Sequence, residues 1–169
     1  MLLYFLKDYL FETLSKISIV TINYNSFQDL KKTIDSLRLQ ERQLFEFILV
    51  DGRSDDINKF QINELNDFAD IFIYESDKGI ADAWNKGIRL CNNDWVLLLN
   101  SGDILEENIL KQIDLTLSNS DFIYTFSSKI VSKNYEFIRL NIPKPSLIPL
   151  GMYVPHNFTF IFLHFYKKY

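Results

Sequence analysis

Two segments of this 169-residue chain gather side chains that could handle a charged, phosphorylated ligand. The first is the loop Glu75-Ser76-Asp77-Lys78-Gly79, which runs into Ile80-Ala81-Asp82-Ala83-Trp84-Asn85-Lys86-Gly87-Ile88. The second is the tip Asn100-Ser101-Gly102-Asp103, which follows an apolar run. A charged loop that opens a helix, beside a polar turn carrying a carboxylate, suits a phosphorylated ligand and a divalent cation. Mg²⁺ or Mn²⁺ takes hard oxygen donors, commonly one or two protein carboxylates, with phosphate oxygens and water completing the shell. Asp103 is the candidate metal contact, and Gly102 before it permits close backbone approach. The same Asp103 also reads as the N-cap of a helix beginning near Ile104 or Leu105. Asp51, in Asp51-Gly52-Arg53-Ser54, could accept hydrogen bonds from a base or a ribose, or be an ordinary Asp-Gly turn.

Those residues must be held by the elements around them. Ile17-Ser18-Ile19-Val20-Thr21-Ile22 is β-branched and reads as a first strand, with a turn at Asn23-Tyr24-Asn25-Ser26. Ser26 is placed to cap the next helix, with Asp29 as a capping-box-like acid, and Phe27, Leu30, Ile34 and Leu37 form its apolar face. Further strands are expected at Phe45–Val50, Ile71–Tyr74, Asp94–Leu99 and near Phe122-Ile123-Tyr124. Helices are expected through Phe60 and Leu65, from about Ile80 to Leu90 (burying Ile80, Ala83, Trp84, Ile88 and Cys91), and through Leu105, Ile109 and Ile113. Alternating helices and nearly all-apolar strands predict an α/β layer with a mainly parallel sheet. In such a sheet ligands bind beyond the carboxyl ends of the strands. There the sequence places Thr21 and Asn23, Asp51, Asp77 and Lys78, and Asn100 and Asp103.

Bulk properties narrow the function classes. The length fits one domain, read as residues 16–169 after an N-terminal amphipathic extension at 1–15. A net charge of −4 argues against binding nucleic acid through its backbone. One cysteine, Cys91, excludes an intrachain disulfide framework and a multi-cysteine zinc site, and a reducing cytoplasm is the simplest compartment. No G-x-G-x-x-G follows the first strand, which argues against a dinucleotide oxidoreductase. A phosphoryl-accepting aspartate at Asp51 would need a second Asp where Arg53 stands.

Taken together, Thr21-x-Asn23, Phe47-Ile48-Leu49-Val50-Asp51-Gly52-x-Ser54-x-Asp56, Glu75-x-Asp77-x-Gly79-Ile80-x-Asp82-Ala83-x-Asn85-Lys86-Gly87 and Leu99-Asn100-Ser101-Gly102-Asp103 resemble family 2 glycosyltransferases, in particular the bacterial branch that builds surface polysaccharides. The resemblance runs from about Lys16 to about His156. It implies a GT-A fold, a nucleotide-diphosphate sugar donor (a UDP-sugar by default), Mn²⁺ or Mg²⁺ as cofactor, and inversion at the anomeric carbon. It also implies a glycan or lipid-linked acceptor in cell-surface polysaccharide biosynthesis, with the chain peripheral at the inner membrane face. Carried over by position, Thr21 and Asn23 line the nucleotide pocket and Asp51 holds the base. Asp77 and Lys78 flank the nucleotide and its diphosphate, and Asp82, Asn85 and Lys86 face the donor. Asp103 is the metal-binding acid of the DXD-type motif, with Asn100 as a ribose or water-mediated contact.

His156 is either a metal or phosphate contact or a hydrogen-bonded histidine beside Pro155. The general base of that family lies beyond the segment matching Pro155-His156, where Asn157 to Tyr169 contains no Asp or Glu. The sequence therefore reads as truncated at its C-terminus, and the alternative function is a catalytically inactive chain that binds a nucleotide sugar or a partner. An uncovered sheet face would favour homo-oligomers.

Overall fold

The β-branched run at the start of the described chain forms β1 (Ile17–Asn23), and its alternating side chains reach both faces of a sheet. The computed structural model describes residues 17–114, 117, 124–126, 128–131, 136–139 and 159–164. Along them follow α1 (Phe27–Leu37), a 3-10 turn (Arg42–Leu44), β2 (Phe45–Asp51), α2 (Lys59–Phe68), β3 (Ile71–Tyr74), α3 (Ile80–Arg89), β4 (Trp95–Leu98) and α4 (Ile109–Asp114). The short strands β5 (Tyr124–Thr125), β6 (Ser128–Val131), β7 (Glu136–Arg139) and β8 (Thr159–Phe162) complete the described elements. The extension at 1–15, the prolines at 143, 145 and 149, His156 and the last five residues lie outside the described residues.

Six strands form one sheet in the order β3-β2-β1-β4-β8-β5. The first four are mutually parallel, β8 runs antiparallel to β4, and β5 is antiparallel to β8. This is the mainly parallel α/β sheet expected of a GT-A fold. β6 and β7 form a separate two-stranded antiparallel sheet. The chain leaves β1 in one direction through β2 and β3, then returns to β1's other side as β4. That reversal opens a crevice between the tips of β1 and β4, the usual ligand position in an open α/β sheet.

Both sheet faces are covered, which is why β1, β2 and β4 are almost wholly apolar. On one face Ile17, Ile19, Phe47, Leu49 and Leu97 pack against Leu30, Ile34 and Leu37 of α1, Leu65 of α2 and Leu110 of α4. On the other, Val20, Ile48, Val50 and Val96 meet Ala83, Trp84 and Ile88 of α3, together with Cys91. Trp84 is therefore a core residue. Contact between α3 and the sheet is close: a methyl at Gly87 would lie 2.3 Å from Val20 Cγ1.

The structure corrects three local expectations. Ile80 is 70% exposed, because it occupies the first position of α3, above the sheet edge. The helix expected through Phe60 and Leu65 is α2, in which Phe60 is exposed on the first turn and Leu65 is buried. Ser26 stands at the N-cap of α1 as expected, but its side chain makes no capping bond: its hydroxyl goes to Asp29, and the first helical N–H, of Phe27, is taken by Asp56 Oδ2 at 2.8 Å. The helix after Asp103 starts at Ile109 rather than Ile104 or Leu105. Among the described residues no helix is long and apolar enough to cross a membrane.

Candidate functional site

The tips of β1 and β2 are fastened by a buried polar cluster. Asn23 and Asp51 are register partners, and Asn23 Nδ2 donates to Asp51 Oδ2 at 2.7 Å. Ser54 completes the cluster: its N–H donates to Asp51 Oδ1 at 2.6 Å and its hydroxyl to Asp51 Oδ2 at 2.9 Å. Ser54 Oγ in turn accepts from Asn23 Nδ2 and from the Asn25 N–H. The Asp51 carboxylate thus accepts three hydrogen bonds and is 0% exposed. A buried carboxylate needs such donors, since leaving one unpaired costs about 3–5 kcal/mol.

The β4 tip is held from α1. Gly102 takes a left-handed conformation (φ +96°), which favours glycine, and its N–H donates to Thr33 Oγ1 at 2.9 Å. The Thr33 hydroxyl reaches the Asn100 carbonyl at 3.3 Å. One and two turns further along, Ser36 Oγ accepts from the Leu105 N–H, while Gln40 bonds the Glu106 carbonyl and the Leu110 N–H. Thr33 and Ser36 of α1, with Gln40 just past its end, therefore carry the irregular stretch from Asn100 to Glu106. Within the turn, Asp103 Oδ2 accepts from the Asn100 N–H at 3.0 Å and from Asn100 Nδ2 at 3.3 Å. Ser101 Oγ shares its proton between the Ile22 carbonyl (2.8 Å) and Asn23 Oδ1 (3.0 Å), so the tips of β1 and β4 are joined.

The loop after β3 closes the third side. Asp77 Oδ1 accepts the Gly79 N–H at 2.7 Å, and Asp82 Oδ2 accepts the Lys78 N–H at 3.0 Å. Gly79, with φ +112°, makes the bend into α3. Lys86 reaches back along α3 to Glu75 Oε1 (2.8 Å), the Ser76 carbonyl (2.9 Å) and Asp82 Oδ2 (3.6 Å). The Lys78 N–H, then desolvation in opposition and the nearby Lys86, leave the Asp82 carboxyl below its usual range. The Glu75 carboxylate foremost, helped by Asp82, holds the Lys86 ammonium above its usual value.

These three tips enclose a cleft of about 630 Å³, walled by Asn23, Tyr24, Gly52, Asp77, Asn100 and Ser101, with Ile80 at its rim. That volume suits a small-molecule ligand. A methyl at Gly52 would stand 2.7 Å from Asp77 Oδ2 and 3.0 Å from Tyr24 Cδ2, so this wall admits only glycine without a shift.

Of the residues singled out from sequence, Asn23, Asp77 and Asn100 line the cleft, and Asp103 stands in the turn beside it. Thr21 and Asp51 do not reach the cleft surface: both are 0% exposed, because the pleat turns them toward the α1 side with Ile19 and Leu49. Among the described residues Thr21 Oγ1 has no hydrogen-bond partner. Asp82 and Lys86 bind the loop, Lys78 is exposed outside the lining, and Asn85 lies on the exposed side of α3. His156 lies outside the described residues. Tyr24, Ser101 and Thr33 were not singled out. Ser101 sits inside the quoted turn motif, whereas Thr33 carries no local signal, since its partner is 69 residues away.

A divalent cation fits this turn in one way. Among the described residues no three His, Cys, Asp or Glu side chains converge to form a protein cage. The donor set is a single carboxylate, Asp103, beside the Asn100 amide. That set suits a cation held chiefly by ligand phosphates and water.

Comparison with known proteins agrees with the fold. The family model described as Glycosyl transferase family 2 matches residues 18–162. An uncharacterized glycosyltransferase of Nostoc sp. is 27% identical over 111 residues, covering 64% of this chain and 34% of its own. A PGL/p-HBAD biosynthesis glycosyltransferase of Mycobacterium bovis is 33% identical over 100 residues, covering 53% and 36%. The chain thus spans about a third of the length of these curated relatives. Among solved structures, S. aureus TarS 1-349 superposes with a TM-score of 0.68 at 16% identity, covering 90% of this chain and 48% of TarS. The same fragment in complex with UDP-GlcNAc gives 0.51 at 21% identity, covering 58% and 30%. The mannosyltransferase PcManGT of Pyrobaculum calidifontis, in complex with GDP-Man and Mn²⁺, gives 0.54 at 16% identity, covering 70% and 40%.

Proposed function

The chain belongs to glycosyl transferase family 2, and from that premise we propose that its cleft binds a nucleoside-diphosphate sugar for transfer, with inversion, to a glycan or lipid-linked acceptor. One observation carries the reading. Three strand tips from distant parts of the sequence converge on a single cleft at the topological switch point, and each contributes a polar wall residue: Asn23, Asp77 and Asn100. The ligands of the two structural neighbours, UDP-GlcNAc and GDP-Man, support a nucleotide sugar as the class. Uridine diphosphate is the default nucleotide, and cell-surface polysaccharide is the proposed product.

In this reading the exposed Tyr24 ring and Gly52 form the wall for the nucleoside, and Asn23, its amide held by Asp51, Ser54 and Ser101, forms part of the floor. Asp51 works indirectly, fixing Asn23 and Ser54. Asp77 and Asn100 supply further hydrogen-bonding groups to the cleft lining. Asp103 would hold Mn²⁺ or Mg²⁺, which, when bound, neutralises charge growing on the departing diphosphate. Inversion requires the acceptor hydroxyl to meet the anomeric carbon opposite the leaving group, with a base within hydrogen-bond reach. Acceptor and base belong to surfaces beyond the donor cleft formed by residues 22–101.

Thermal-shift measurements with UDP, GDP and TDP, each with and without Mn²⁺, test the proposal. A nucleotide at a hundredfold excess over its dissociation constant stabilises the native state by about 2.7 kcal/mol. A rise in melting temperature with one diphosphate, larger with Mn²⁺, is the expected result. No shift with any of the three contradicts it.

A further inference from the structure

Lys86 stands on α3 with only 17% of its side chain exposed, yet it does not line the cleft. Its ammonium has three N–H donors, and three acceptors surround it: Glu75 Oε1, the Ser76 carbonyl and Asp82 Oδ2. Two of these belong to the loop between β3 and α3. The loop needs such a tether. Its Glu75 N–H still bonds the Asp51 carbonyl, extending the β2–β3 pairing, but Glu75, Ser76, Lys78 and Gly79 are all exposed. Gly79 adds a left-handed bend where the loop enters α3. The same loop carries Ser76 and Asp77 to the cleft wall, where Asp77 Oδ2 closes against Gly52 so tightly that no methyl would fit.

We propose that Lys86 is a positioning residue that sets the cleft's width: it pins the Glu75–Gly79 loop so that Asp77 faces the ligand, and does not itself touch the ligand. The inference rests on reading the cleft as a nucleoside-diphosphate site. Through Asp82 the tether also reaches the Lys78 N–H, so one lysine fixes both ends of the loop. Order in the free protein lowers the ordering cost of binding, which is otherwise charged against affinity for each side chain immobilised.

Two variants separate positioning from direct contact. Lys86→Met removes the tether while keeping the aliphatic stem. Glu75→Gln leaves the lysine in place but weakens its hold. Each is compared with wild type by hydrogen exchange at the Lys78 and Gly79 amides, by melting temperature, and by calorimetric titration with UDP plus Mn²⁺ and GDP plus Mn²⁺. Positioning predicts about tenfold faster exchange at those two amides in Lys86→Met, with α3 and the sheet unchanged. It also predicts about tenfold weaker nucleotide binding in Lys86→Met, and weaker binding, by about threefold, in Glu75→Gln.

If Lys86 instead met the diphosphate directly, freeing it in Glu75→Gln would tighten binding, and Lys86→Met would weaken binding without altering exchange. Either result overturns the proposal, as does faster exchange with unchanged affinity. A wild type that binds neither nucleotide defeats the donor reading separately. The tether is then judged by exchange alone, faster in Lys86→Met supporting it and unchanged overturning it.

Discussion

At the scale of single residues, the site is a set of carboxylates and amides committed to one another before any ligand arrives. Asn23 is the residue on which most depends, because it faces the cleft and also donates to a carboxylate that water cannot reach. Asn23→Ala removes that donor and should cost about 1.5–3 kcal/mol in urea unfolding, the range for a hydrogen bond to a charged group. Thr33→Val keeps the shape but leaves the Gly102 N–H without its acceptor, and should cost about 1–3 kcal/mol. The tether makes a pH prediction whose sign can be worked out. Asp82's carboxyl lies below 3.8 when folded, so its contribution is complete above that value and fades only as pH falls through the lowered one. Lys86's ammonium lies above 10.5, so its contribution is complete below that value and fades as pH rises through the raised one. Protection of the Lys78 amide, which Asp82 accepts, corrected for intrinsic exchange, should therefore be flat between about pH 5 and 9. A step near neutrality would contradict this. The chemistry of these residues was legible in the sequence, but their commitments were not. Asp51 reads as a ligand contact because nothing local reveals that Ser54 and Asn23 enclose it.

At the scale of elements, one close approach and one borrowed cap set the frame. Gly87 lets α3 lie directly on β1, and the 2.3 Å clearance to Val20 leaves no room for a methyl. Gly87→Ala gains helix propensity of about 1 kcal/mol, but overpacking costs about 1–3 kcal/mol, so the net change should be destabilising. A measured stabilisation would show that α3 can lift off the sheet at no penalty. Asp56→Ala removes the acceptor for the first N–H of α1 and should cost about 1 kcal/mol. Strands β1, β2 and β4 were readable because burial on both faces makes them continuously apolar. The start of α4 was not. Leu105 has helical spacing with Ile109 and Ile113, but Ser36 and Gln40 satisfy its neighbourhood in irregular backbone, so no helix is needed there. Likewise, Ser26 fits a cap by residue type, yet Asp56 reaches the position first from another loop.

At the scale of the whole molecule, the strand order explains why motifs far apart in sequence form one site. Motif order along the chain suggested the family, and the family profile over residues 18–162 establishes it. The geometry that joins the motifs comes from β4 returning beside β1, a long-range pairing that no local pattern encodes. A second cavity of about 250 Å³, between α1 and α2 and lined by Phe27, Ile34, Phe60 and Phe68, offers a rival place for a small molecule. The decisive measurement is a titration of isotope-labelled protein with UDP and Mn²⁺, followed by backbone amide shifts. The account predicts saturable changes confined to Asn23 and Tyr24, Gly52, Ser76 to Ile80, and Asn100 to Asp103. Changes centred on the groove between α1 and α2, or none at saturating nucleotide, would contradict it.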